Sequence, residues 1–99
     1  MVDYDVVIDI EAQEFLDSLP KKSRDIIKTK LKILIIDPFP GKGGDKELLN
    51  SPKHKAVYRL HISRSYTAFY RIEGRIVMIL WLGTIEAAHK IYGRFMRGH

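Results

Sequence analysis

Arg59 and His61 stand two residues apart, and Thr67 and Arg71 four apart, in the stretch AVYRLHISRSYTAFYRIEGR at residues 56–75. In extended chain such spacings put each pair on one side of a strand. Arginine grips phosphate oxygens with a planar fork of donors. Histidine gains and loses a proton near neutral pH. This set on one sheet face would suit a phosphate chain. The competing reading is an ordinary solvated surface.

Charge along the chain favours the first reading. Seventeen Lys and Arg against twelve Asp and Glu give a net charge of +5. Residues 1–20 carry six acids and no Lys or Arg, whereas residues 53–75 carry six Lys or Arg and one acid. A field divided in this way draws a polyanion to one side of a molecule.

Alternation must be real for that face to exist. Three strands are expected, over about 55–62, 66–72 and 75–82. Tyr58, Leu60, Tyr66, Ala68 and Tyr70 then share the core face. Lys55, Val57, Arg59, His61, Thr67, Phe69 and Arg71 lie opposite. RIVMILWL is apolar on both faces, which predicts a central or covered strand. The dipeptide Glu73-Gly74 suits a tight turn.

Upstream, YDVVIDI predicts a first strand and Asp9 a helix cap. Ala12, Phe15, Leu16 and Leu19 form one helical stripe ended by Pro20. A second helix is expected from Lys21 to about Asp37, burying Ile27, Leu31, Leu34 and Ile35. Ile26, Ile33 and Ile36 widen its apolar arc, as further core or as a seat for a partner. DPFPGKGGD reads as a loop, and its GKGG lacks the spacing of a phosphate loop. TIEAAHKIYGRF predicts a short C-terminal helix. The expectation is one α+β domain over residues 1–99. A strand, a helical hairpin and a three-stranded meander make a four-stranded, mainly antiparallel sheet. The helices cover one face and leave the other free to bind.

Composition narrows the setting. Ninety-nine residues without cysteine suit a small domain in a reducing compartment, here expected to be the cytoplasm. The acidic N-terminus is unlike a signal peptide, and the apolar run from Ile76 to Leu82 is too short to span a bilayer.

Five features in this order resemble the RelE/ParE superfamily of toxins from toxin–antitoxin modules. They are EAQEFLDSLPKKSRDII, DPFPGKG, YRLHI, SYTAFYRIEGRIVMIL and LGTIEAAHKIY, and together they cover nearly the whole chain. For RelE-type members the resemblance implies ribosome-dependent mRNA cleavage by a metal-independent endoribonuclease needing no cofactor. For ParE-type members it implies inhibition of DNA gyrase without catalysis. Both imply a cognate antitoxin protein and a toxin–antitoxin hetero-oligomer. The fold does not choose between them.

Metal-free RNA cleavage needs a base for the ribose 2′-OH, cations at phosphorus and an acid for the leaving 5′-oxygen. The resemblance places basic residues at Arg59 and His61. It puts Thr67 where an arginine is common, with Arg71 and the turn residue Arg64 as substitutes. Aligned on Gly83, Ile85 takes a position that is often basic. Without gaps His89 falls on a usual tyrosine and is the leading acid–base candidate, whereas a small insertion would put Tyr92 there instead. His89 is equally readable as a helix-surface histidine three residues from Glu86. The expected catalytic set is Arg59, His61, Arg71 and His89. Lys53, Lys55, Arg64, Thr67, Tyr92 and Arg94 are expected to contact RNA around it. A weakened RNA binder that keeps the fold is the remaining alternative.

Overall fold

The computed structural model describes residues 3–41, 43–49 and 56–97, with side chains to Gly93. The elements run β1 (Asp5–Ile8), α1 (Ile10–Asp17), α2 (Lys21–Ile36), β2 (Lys46–Leu49), β3 (Val57–Ile62), β4 (Tyr66–Glu73), β5 (Ile76–Thr84) and α3 (Ile85–Arg97). Among the described residues no helix is long and apolar enough to cross a membrane.

Local chemistry sets the helix ends. The carboxylate of Asp9 accepts from the Glu11 amide at 3.1 Å, capping α1. Pro20 caps α2 without a side-chain bond. At its far end Asp37 turns extended before Pro38, because a residue before proline avoids helical geometry. The hydroxyl of Tyr70 donates to the Pro38 carbonyl at 2.7 Å and ties this loop to the sheet.

The sheet has the order β1-β5-β4-β3-β2. β1 runs parallel to β5, and the other pairs are antiparallel. The α+β architecture is as expected, with β2 as a fifth strand on the edge. Its residues KELL read poorly as a strand, because Lys46 is buried along with Leu49 while Leu48 is exposed. Lys46 can be buried because its ammonium donates to the Asp37 carbonyl at 2.8 Å.

α1 and α2 pack on one face through Leu16, Ile27, Leu31 and Leu34 against Leu60, Ile62, Ala68, Tyr70, Val77 and Ile79. The expected core residues of β3 and β4 are all in this layer, with Tyr58 stacked on Tyr70 at 5.3 Å. Ile26, Ile33 and Ile36 are exposed, so the wider arc of α2 is not core.

The opposite face is not free along its whole length. α3 lays Ala88, Ile91 and Tyr92 against Leu49, Val57, Phe69 and Trp81. This corrects the expectation of an open second face. The cause is the apolar column Leu49, Val57, Phe69 and Trp81, which needs cover, and α3 is amphipathic enough to supply it. β5 makes both layers possible. Its pairing with β4 slips between Phe69/Trp81 and Tyr70/Ile79. The extra residue, Leu80, turns Trp81 to the α3 side and leaves Leu82 with the first core.

Candidate RNA-binding face

The β-sheet register builds the site. Glu47 pairs with Arg59, Arg59 with Phe69, and Phe69 with Trp81 in one row. His61, Thr67 and Gly83 form the next row. Arg59 and His61 therefore stand about 7 Å apart on the α3 side of the sheet. Arg71 lies on the same side, two residues along β4 from Phe69. The strand periodicity thus placed all three basic side chains on one face.

Arg59 is enclosed. Its Nε donates to Glu47 Oε2 at 2.8 Å, and its Nη2 donates to the same oxygen. The Tyr92 ring of α3 covers the guanidinium, with Cζ 5.4 Å from the ring centroid. His61 Nε2 lies 3.7 Å from the same Glu47 oxygen, an ion pair only when the imidazole is protonated. The hydrogen bonds from Arg59 hold the Glu47 carboxyl below its ordinary pKa, and the charge on Arg59 and contact with His61 act in the same direction.

Arg71 is also paired, donating through Nη2 to Glu73. Its Nε is buried without a hydrogen-bond partner. His89 is exposed on α3. Thr67 is 2 % exposed. It stands between His61 and Gly83, with the Trp81 ring over Gly83, so its hydroxyl does not present to solvent as expected for an RNA contact. Arg64 is exposed in the turn between β3 and β4, where Ser63 adopts a left-handed φ of 51°. Lys53 and Lys55 lie outside the described residues, as does the side chain of Arg94.

Glu47 is the residue that sequence reasoning missed. Its only signal was a carboxylate in a segment between a glycine-rich loop and a basic strand. Without the β2–β3 pairing nothing links it to Arg59. Among the described residues no three His, Asp or Glu side chains gather as a metal-ligand set.

A groove of about 340 Å³ opens on the other layer, between β1, α1 and α2. Its apolar lining is Val6, Ile8, Leu16, Leu31 and Ile35, flanked by Lys28 and Lys32. It is remote from Arg59 and His61, which face the opposite side of the sheet.

No protein-family model matches the sequence, and no curated protein does. Solved structures do match the fold. A chain of the archaeal RelE–RelB complex from Pyrococcus horikoshii OT3 gives a TM-score of 0.70 at 25% identity, over 84% of this chain and 96% of that one. A chain of the toxin–antitoxin complex RelBE2 from Mycobacterium tuberculosis gives 0.66 at 20%, over 84% and 99%. An arginine double mutant of the toxin RelE from E. coli, in the free state, gives 0.60 at 18%, over 93% of each chain. The chain has the RelE-like toxin fold.

Proposed function

We propose that this protein is the toxin of a toxin–antitoxin pair and cleaves mRNA on the ribosome. The observation that carries the reading is the placement of Arg59, His61 and Arg71 on one sheet face, with α3 bringing Tyr92 against Arg59. The solved toxins that share the fold, two of them crystallised in toxin–antitoxin complexes, support it.

In this reading the ribose 2′-oxygen attacks the adjacent phosphorus while a side chain takes its proton. The P–O5′ bond breaks, and a second group protonates the leaving oxygen. Arg59 and Arg71 offset charge on the phosphoryl oxygens. His61 and His89 carry the protons. Lys53, Lys55, Arg64 and Arg94 hold the flanking backbone, and Tyr92 stacks on a base. The ribosome would orient the mRNA for a site without a strong base. The cognate antitoxin, as an acidic amphipathic chain, would suit the groove flanked by Lys28 and Lys32 and the exposed Ile33 and Ile36.

The test is a reconstituted translation reaction with the purified protein, mapping mRNA breaks by primer extension. New breaks within codons on translating ribosomes are expected. Intact mRNA with a folded protein would sink the reading.

One observation favours a second reading. Arg59 and Arg71 are both paired with carboxylates, and Thr67 is buried. A face neutralised in this way also suits a ParE-like protein that inhibits DNA gyrase by contact. A supercoiling assay separates the two. Inhibition that survives Arg59→Ala and His89→Ala identifies the second.

A further inference from the structure

The closest anion to Arg59 is supplied by the protein. Glu47 stands directly across the β2–β3 ladder from Arg59, so the fold imposes the encounter. One carboxylate oxygen takes both Nε and Nη2, the edge of the guanidinium that a phosphate would grip. The same oxygen faces His61 Nε2. Tyr92 closes one flat side of the guanidinium. The donor edge that Arg59 would offer a phosphate is thus already occupied.

We propose that Glu47 is a resident anion in the phosphate seat of Arg59 and His61, displaced when a phosphodiester binds, and that it sets the affinity of this face for RNA. The inference rests on the reading that this face meets RNA. Three features make the exchange feasible. β2 is the edge strand, so the Glu47 side chain can swing outward without disturbing either core layer. The carboxylate is 43% exposed, against 24% for the Arg59 side chain. A phosphodiester brings the same single negative charge and restores both hydrogen bonds. Exchange therefore leaves no buried cation unpaired, and the cost to RNA is that of competing with an intramolecular ligand.

The guard also explains how a basic domain limits indiscriminate binding. A bare Arg59–His61 pair would attract any phosphate chain. With Glu47 in place, a ligand must bring enough further contacts to outcompete it.

The experiment measures the affinity of a short 2′-O-methyl RNA oligonucleotide, which cannot be cleaved at its 2′-oxygen, for wild type, Glu47→Gln and Glu14→Gln. Glu14 is exposed on α1, in the opposite layer, and removes the same charge elsewhere. Glu47→Gln should bind about two- to fivefold tighter, the span of a half-exposed ion pair, while Glu14→Gln stays near wild type. The Arg59 Nε–Hε resonance of the wild type should move when RNA is added, and should begin displaced in Glu47→Gln. Binding by Glu47→Gln that equals or falls below wild type overturns the guard alone. An equal gain in Glu14→Gln reduces the effect to net charge and overturns it too. Binding by Glu47→Gln where wild type shows none upholds it. Absence of binding in every variant overturns both the guard and the RNA reading.

Discussion

The indole of Trp81 lies over Gly83. A Cβ built at Gly83 would come within 2.5 Å of Cη2 and 2.7 Å of Cζ2 of that ring. The contact exists because Leu80 bulges and turns Trp81 outward, where it packs on Phe69 at 5.5 Å. Trp81 thereby shields Gly83 beside Thr67 and supports α3 through Ile91. The glycine at the end of β5 is required for this stacking.

Gly83→Ala should therefore displace the indole and loosen α3. Overpacking of this kind costs about 1–3 kcal/mol. For a chain of this size each kcal/mol lowers the melting temperature by about 4–8 °C. Trp81 is the sole tryptophan, so its emission reports the event directly. A red-shifted emission with a lower melting temperature is expected. An unchanged spectrum would contradict the stacking.

His61→Ala and His89→Ala test which imidazole carries the proton. Loss of a general acid or base costs about 10²–10⁴-fold in rate. The fall should appear in the single-turnover rate on ribosomes, with RNA affinity nearly kept in His89→Ala. A full rate in His89→Ala would assign its proton transfer elsewhere and leave His61 to be tested alone.

Acid should weaken the edge of the sheet. The hydrogen bond from Lys30 to Asp45, and that from Arg59 to Glu47, hold both carboxyls below their ordinary values. A folded pKa below the unfolded one adds stability above the ordinary carboxylate range. That stability is lost as pH falls through the folded value. Both pairs are partly exposed, so each contributes less than about 1 kcal/mol. Urea unfolding measured across acid pH should show a falling midpoint, with a shallower fall in Lys30→Gln. Identical slopes would show that the Lys30 pair adds nothing.

Most elements were legible because their burial follows one period. β3 and β4 alternate between a helix-packed face and an α3-packed one, so Tyr58, Leu60, Ala68 and Tyr70 could be assigned by counting. α1 and α2 carry single apolar stripes with a cap and a proline at their ends. β2 was not legible, because one of its two buried residues is a lysine satisfied by a carbonyl nine residues away. The cover by α3 was hidden for a related reason. Val57 and Phe69 share a face with Arg59, and a mixed face reads as open when nothing local shows that a helix returns over it. That Arg59 and His61 share a face was readable from alternation. Glu47, whose carboxylate oxygen both approach, is joined to Arg59 only by strand pairing, a contact between residues twelve apart in sequence.

Tyr70→Phe should be among the costlier conservative changes. The ring stays in the core, stacked on Tyr58, but the Pro38 carbonyl loses its donor. Pro38 is fully buried, so water cannot replace the hydroxyl without opening the loop. An orphaned buried acceptor costs about 1–3 kcal/mol. Burial, the largest cause, pushes the Tyr70 hydroxyl well above its ordinary value, with Tyr58, Asp45 and Asp37 acting in the same direction. A raised folded pKa gives stability that is fully present below the unfolded value, near pH 10, and lost as pH rises beyond it. Wild type should therefore lose stability above about pH 10 more steeply than Tyr70→Phe. Denaturant midpoints at neutral and alkaline pH measure both effects at once. The variant should start lower and fall more gently. Parallel curves would show that the hydroxyl is not held to Pro38 in the folded state.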